Sequence, residues 1–309
     1  MIHGIAFSVL AGGCFAIGAG LFAAVARRGL PFMLFLAIGA AIGLAISLLA
    51  IVDWAALATE GRAFQLALWI VPGALANVAG HRAMANAMAG GRSSVAWAIG
   101  QGGQAVPFIA TVLIWDEHAG ATSWLGLALI LAGVAVLAQT KGLSVNYAAA
   151  SAASSSPSST WVYWALAALL CYGMNGTLMS VPSHWPDWHD GARLRVPITL
   201  GVFALAGIAC SPGADWQAIR HLSRLAIPYG LTLAACFACL YRALDALSAA
   251  GGAAIAWPLA GSTGVVAYAL WEHLVQRRPI ARSEIAGIAT VVAGIVALAI
   301  RTPFLIQKP

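Results

Sequence analysis

Two glutamines inside a long apolar run are the side chains of this sequence best suited to bind a polar ligand. In Gln101-Gly102-Gly103-Gln104 the two carboxamides are three residues apart, so they share one face of a helix. The glycines between them let a ligand or another chain approach the backbone. Because a carboxamide offers one hydrogen-bond acceptor and two donors, the pattern indicates a site for a polar solute. Hydrogen bonding between helices is the structural alternative.

Further candidates are polar and aromatic side chains well inside apolar runs, where burying a polar group without a partner is costly. Trp97 and Trp257 lie several residues inside their runs, and each can either stack on a substrate or pack against neighbouring helices. His81 could also relay a proton. The candidate substrate-binding residues are Asn77, His81, Trp97, Gln101, Gln104, Tyr172, Asn175, Trp257, Ser262 and Thr263.

Two acid–histidine pairs raise the question of metal or acid–base chemistry. Glu117-His118 and Glu272-His273 each end an apolar run and resemble half of a metal site. No H-E-x-x-H motif completes such a site in the sequence, and the polarity of helix ends explains both pairs. We therefore predict no metal, no cofactor and no catalytic residue. The alternative is a membrane-embedded enzyme acting on a lipid-linked substrate, for which these pairs are the support.

The composition excludes a water-soluble domain. Of the 309 residues, 61% are hydrophobic and 8% are charged, and the mean hydropathy is +0.87, against roughly 25% charged residues in soluble proteins. The net charge of +6 comes from lysines and arginines scattered between apolar runs, which suits an anionic membrane surface better than nucleic acid. The expected partners are the lipid bilayer and a small-molecule solute, with no nucleic acid; a homodimer is left open.

Long runs without Asp, Glu, Lys or Arg divide the chain into candidate membrane spans. Because the runs are continuous rather than alternating, they indicate helices, which satisfy their own backbone hydrogen bonds in lipid. We predict an all-α membrane protein with ten transmembrane helices. The predicted spans are 2 to 26, 29 to 52, 63 to 81, 93 to 115, 119 to 140, 161 to 183, 196 to 214, 225 to 241, 246 to 271 and 285 to 300.

The order of features repeats along the chain. At an offset of 160 residues, Arg82-Ala83 aligns with Arg242-Ala243 and Trp97 aligns with Trp257. Because each copy has an odd number of spans, the two copies must lie upside down relative to each other, as in many secondary transporters. We predict a first five-helix repeat over 1–140, a Ser- and Ala-rich linker over 141–160 and a second repeat over 161–309.

Glycine and proline positions predict how the spans pack and bend. Gly39 and Gly43 form a G-x-x-x-G motif in span two, which favours close packing of helices. The glycine sets in spans five and ten suggest the same. Pro107 and Pro258 are expected to interrupt spans four and nine, since broken helices commonly border transport cavities.

Taken together, these features resemble the drug/metabolite transporter superfamily, specifically its EamA-like members, over nearly the whole chain. The resemblance rests on the duplicated plan, on the segment from Ser94 to the acidic Glu117, and on the stretch from Trp124 to Gly133, which is similar to the family's closing helix. Members of the superfamily carry amino acids, sugars, nucleotide sugars, drugs or other metabolites.

The resemblance implies a secondary transporter of a small polar metabolite, such as a sugar or an amino acid, that works by alternating access. We expect an integral multi-pass protein of a bacterial inner membrane. A structural or regulatory membrane subunit would instead have an apolar centre. The cavity implied by the resemblance would be lined by Asn77, Trp97, Gln101, Gln104, Tyr172, Asn175, Trp257 and Ser262.

Overall fold

The protein is a bundle of α-helices, as expected for long apolar segments that must satisfy every backbone hydrogen bond internally. The computed structural model describes residues 1–52, 62–89, 93–139, 160–186, 192–212, 216–276 and 282–300. The predicted linker therefore lies outside the described residues, apart from Thr160. The helices are α1 (Ile2–Arg27), α2 (Phe32–Ala50), α3 (Ala63–Ala89), α4 (Ser93–Gln101), α5 (Ala105–Ile114), α6 (Ala121–Gln139), α7 (Thr160–Ser180), α8 (Ala192–Ala209), α9 (Trp216–Ser248), α10 (Ala256–Gln276) and α11 (Arg282–Ala299).

Seven helical stretches among the described residues are long and apolar enough to cross a membrane. Two further apolar helices, Ala121–Val136 and Ile285–Ala299, are shorter. The prediction of an all-α, multi-pass membrane protein is confirmed at this level, with no β-strand in the segments that the structure describes. The seven stretches are Ile2–Ala26, Phe32–Ala50, Ala63–Met88, Ala96–Ile114, Thr160–His184, Leu222–Ser248 and Ala253–Trp271.

Helices from the first 140 residues pack mainly against helices that follow residue 160. Helix α1 packs on α9 and α10, α2 on α8 and α9, α3 on α7, and α6 on α11. Gly4, at the start of α1, contacts Leu247 at the end of α9, so these two helices are antiparallel. We call the end of the bundle where α1 begins the N-terminal face.

The predicted glycine contacts are confirmed. A Cβ atom on Gly43 would lie 2.9 Å from the carbonyl oxygen of Gly230, which places α2 directly against α9. A Cβ atom on Gly126 would lie 2.9 Å from the carbonyl oxygen of Gly294, which does the same for α6 and α11. Only glycine leaves room for backbones at this separation.

We expect Gly126→Ala to destabilise the protein by about 1–3 kcal/mol, because the new methyl group must push two backbones apart. Gly13→Ala is the matched control, since a Cβ atom at Gly13 meets no atom of the described structure within 4 Å. The control should leave stability unchanged or raise it by up to about 1 kcal/mol, the helix-propensity gain. Thermal unfolding of both variants in detergent checks this. Equal midpoints would contradict close packing of α6 on α11.

The predicted helix breaks lie close to the two prolines but not at them. Span four is interrupted at the 3-10 segment Gly102–Gln104, and Pro107 is the third residue of α5. Pro258 is likewise the third residue of α10, directly after the 3-10 segment Ala253–Ile255. In the first turn of a helix the missing N–H of proline costs little, so neither proline has to break its helix.

Candidate functional site

A cavity in the middle of the bundle brings together most of the predicted site residues. Helices α3, α4, α7 and α10 contribute these side chains, together with the 3-10 segment between α4 and α5. Eight of the ten predicted residues line the cavity, namely Asn77, His81, Trp97, Gln101, Gln104, Tyr172, Asn175 and Trp257.

Ser262 and Thr263 lie outside this cavity. The Ser262 hydroxyl donates to the carbonyl oxygen of Pro258, and the residue lines a smaller pocket that it shares with Gln101 and Gln104. Thr263 packs against Gly12 of α1. The two residues follow Trp257 by five and six positions, so the turn of α10 directs their side chains to a different face of the helix.

Helices α1 and α9 form the rest of the wall, and the sequence singled out no individual site residue on either helix. Their lining residues are mostly apolar or aromatic, and such residues look like ordinary core positions in a sequence. The residues that they contribute are Cys14, Phe15, Gly18, Ala19, Phe22, Tyr229, Thr232, Leu233, Cys236 and Phe237.

Six buried polar atoms on the cavity wall have no hydrogen-bond partner among the described residues. The residues that carry them are at most 8% exposed. Leaving a buried polar atom unsatisfied costs about 1–3 kcal/mol, so native proteins usually reserve such atoms for water or a ligand. The six atoms are Asn77 Oδ1, Trp97 Nε1, Gln101 Oε1, Gln104 Oε1, Asn175 Oδ1 and Tyr229 Oη.

A glycine on α10 makes room for both glutamines. A Cβ atom on Gly261 would lie 2.6 Å from Cγ of Gln104 and 3.3 Å from Oε1 of Gln101. The turn at Gly102–Gln104 therefore packs against a smooth region of α10, and both carboxamides still reach the cavity. The predicted spacing of the two glutamines on one helix face fits this arrangement.

An aromatic cluster covers the cavity towards the face opposite the N-terminal face. It consists of Phe22, Phe32, Phe35, His81 and Tyr229. The ring centroids of Phe22 and Phe32 are 4.9 Å apart, and those of Phe35 and Tyr229 are 4.7 Å apart. His81 lies edge-on to Phe22, and its Nδ1 shares a 2.8 Å hydrogen bond with the Tyr172 hydroxyl.

Towards the N-terminal face, the cavity ends at Trp257 and a chain of polar contacts. The indole N–H of Trp257 donates to the Ser180 hydroxyl at 2.8 Å. His184 Nδ1 lies 2.9 Å from the Ser180 carbonyl oxygen, and the His184 ring stacks on Trp115 with centroids 4.1 Å apart. These contacts fix the end of α7 against α5 and α10.

Glu117 binds the start of the segment that leads into α10. Its two carboxylate oxygens accept hydrogen bonds from the backbone N–H groups of Ala253 and Ala254 at 3.2 and 3.1 Å, and His184 Nε2 lies 3.3 Å away. A carboxylate at this position compensates the positive end of the helix dipole. Within the described residues there is no group of three or more His, Cys, Asp or Glu that could hold a metal ion. The side chain of Glu272 is outside the described set.

A buried ion pair also lies between the cavity and the N-terminal face, and the sequence did not predict it. Arg195 of α8 has no exposed surface and pairs with Asp245 of α9. Its guanidinium also donates to the Ser183 hydroxyl at 2.8 Å and lies 4.5 Å above the centre of the Tyr241 ring. We call the polar residues between the cavity and this face the N-terminal seal, which comprises Glu117, Ser180, Ser183, His184, Arg195 and Asp245.

The cavity is small as it stands. Its free volume is about 50 Å³, and one water needs about 10–15 Å³ on the same scale, so it holds only a few waters. Any larger solute requires the seal, the aromatic cluster or the lining side chains to move.

Comparison with known proteins supports the fold only. No protein-family model and no curated protein matches the sequence. Among solved structures, 20 chains match. One crystal structure superposes with a TM-score of 0.62 at 15% sequence identity, over 94% of this chain and 96% of its own. At this identity the similarity shows that the two chains share a fold.

Proposed function

We propose that this protein is a secondary transporter that moves a small polar metabolite, such as a sugar or an amino acid, by alternating access. In this proposal it is an EamA-like member of the drug/metabolite transporter superfamily and lies in a bacterial inner membrane. The observation that carries the proposal is the set of six unpartnered polar atoms around one central cavity. A purely structural membrane subunit has no use for polar groups turned into an internal cavity, since only water or a ligand offsets the cost of burying them.

We further propose ten membrane spans in two inverted five-helix repeats, with α1 to α6 as the first repeat and α7 to α11 as the second; α4 and α5 together make one span. The packing partners support this. The first span of one repeat packs on the third span of the other in both directions, as α1 on α9 and α7 on α3. The second spans, α2 and α8, pack together, as do the fifth spans, α6 and α11. A two-fold axis in the membrane plane generates this set of pairs.

Alternating access is supported by the two barriers around the cavity, because they differ in chemistry. The N-terminal seal is held by hydrogen bonds and ion pairs, whereas the opposite barrier is a cluster of aromatic rings. Each barrier joins the two proposed repeats, since Glu117 bonds to His184 and to the backbone before α10, and Phe35 packs against Tyr229. Rocking the two repeats against each other would open the first barrier while it closes the second, and the reverse motion would exchange them.

The enzyme alternative has less support. Both carboxylate oxygens of Glu117 accept hydrogen bonds from the backbone at the start of α10, so this acid is occupied by a structural role. The polar atoms that lack partners lie instead around the central cavity.

Counterflow in proteoliposomes tests the transport proposal. Vesicles loaded with an unlabelled solute that the purified protein binds should transiently accumulate the labelled solute from outside. Asn175→Leu should reduce the initial rate at least tenfold, because it removes one of the unpartnered cavity groups. Gln65→Leu, which changes an exposed carboxamide on α3, should leave the rate unchanged. Binding without counterflow, or conversion of the solute to a product, would contradict the proposal.

A further inference from the structure

We infer that the cavity takes an uncharged polyhydroxylated solute, such as a monosaccharide, a cyclic polyol or a nucleoside, and rejects amino acids and other charged solutes. This inference rests on the proposed function, because it names the class of solute that the same cavity would carry.

The unpartnered groups call for a ligand that both donates and accepts hydrogen bonds. Four of the six unpartnered atoms are carboxamide oxygens, which need donors; the indole N–H of Trp97 needs an acceptor, and the Tyr229 hydroxyl can use either. Whichever way round a carboxamide sits, it presents one acceptor and two donors. A hydroxyl group is both donor and acceptor, so a ligand with several hydroxyls can satisfy the whole set. A ligand with acceptors alone leaves the four oxygens unsatisfied.

The wall offers no counter-charge for an ionic solute. No Asp, Glu, Lys or Arg occurs among the described residues that line the cavity, and the His81 ring on the wall is hydrogen-bonded to Tyr172. Burying a carboxylate or an ammonium group without a partner costs several kcal/mol. A zwitterionic amino acid would bury both.

The charged and dipolar groups at the N-terminal end of the cavity are already engaged by the protein itself. A helix N-terminus is a common site for a substrate carboxylate, but the amides of Ala253 and Ala254 before α10 bind Glu117. The guanidinium of Arg195 is paired with Asp245. Neither group is left to receive a charged substrate.

The apolar region of the wall suits the C–H face of a ring. Phe22, Trp97, Phe237 and Trp257 line the cavity together with the carboxamides. A sugar or cyclitol ring has an apolar face and a rim of hydroxyls, so it can contact the aromatic side chains while its rim reaches the unpartnered groups. A small amide such as urea has donors but no comparable apolar face.

Matched pairs of ligands test the inference on the full-length protein in detergent. The neutral probes are glucose, myo-inositol and adenosine, and their charged counterparts are glucuronate, myo-inositol 1-phosphate and adenosine monophosphate. Alanine and glutamine are the zwitterionic probes. At least one neutral probe should raise the thermal midpoint. Its charged counterpart should bind roughly a hundredfold more weakly, which corresponds to a few kcal/mol for an unpaired buried charge. Comparing the binding of adenosine with that of glucose distinguishes a nucleoside site from a site for a free sugar.

Variants separate specific binding at the cavity from general effects on the protein. Gln101→Leu should weaken binding of the neutral probe at least tenfold, while Gln65→Leu should not change it. Binding of a charged probe as tightly as its neutral counterpart, or binding of no neutral probe at all, would overturn the inference. Counterflow of alanine or glutamine would overturn it and leave the transport proposal standing. Binding of glucose without counterflow would overturn the transport proposal and leave the inference about the solute standing.

Discussion

Arg195→Met is expected to lower the free energy of unfolding by about 3–5 kcal/mol, because it leaves the carboxylate of Asp245 in a largely buried site without its cation. The side chain of Asp245 is 16% exposed and that of Arg195 is fully buried. The same change removes the donor to the Ser183 hydroxyl and the cation above the Tyr241 ring. Denaturant or thermal unfolding of the detergent-solubilised protein measures the loss.

The double variant Arg195→Met/Asp245→Leu should recover most of that loss, since replacing both partners of a buried ion pair with apolar side chains is often neutral or stabilising. Arg242→Met is the matched control, because Arg242 lies exposed on α9 close to Asp245 in sequence. The control should change stability by no more than about 1 kcal/mol. If Arg195→Met behaved like Arg242→Met, the ion pair would not hold the N-terminal seal.

Gln104→Leu is expected to reduce transport at least tenfold and yet to keep or raise the thermal midpoint. Oε1 of Gln104 is buried without a partner in the described structure, so an apolar side chain of similar volume relieves a cost of about 1–3 kcal/mol. The same oxygen is the group that the proposed solute would bind, so its loss weakens transport. Transport falls while the thermal midpoint is kept or raised. An ordinary core substitution lowers both.

Gly126→Ala is the reference variant for the stability and transport of Gln104→Leu. Both variants lie in the first 140 residues of the chain, but Gly126→Ala should reduce stability with transport affected only through loss of folded protein. If Gln104→Leu lowered the midpoint as much as Gly126→Ala, Oε1 of Gln104 would be serving a structural contact and would not be available to bind a solute.

The sequence predicted the helical membrane fold and most of the cavity for one physical reason. In an apolar chain each polar side chain within a span is costly, so Asn77, Gln101, Gln104 and Asn175 stood out against their surroundings. The sequence did not indicate Phe22 or Phe237, because an aromatic residue on a cavity wall has the same pattern as one in a packed core.

The other differences come from contacts that are distant along the chain. Arg195 and Asp245 are 50 positions apart, and each lies near a helix end where a charged side chain can also reach water. Only the packing of α8 on α9 makes them a buried pair. Ser262 and Thr263 were predicted because they belong to the stretch of the second repeat that corresponds to residues 101–104, but the turn of α10 directs both side chains away from the cavity that Trp257 lines.

Access to Cys14 from the two sides of the membrane tests alternating access most directly. Cys14 lines the cavity from the middle of α1. A variant that keeps Cys14 and replaces Cys171, Cys210, Cys236 and Cys239 with alanine can be treated with a membrane-impermeant thiol reagent in vesicles of either orientation. Cys14 should react from both sides, whereas in a variant that keeps only Cys210, which is exposed after α8, the cysteine should react from one side. Reaction of Cys14 from a single side, whether or not a solute is bound, would contradict the account.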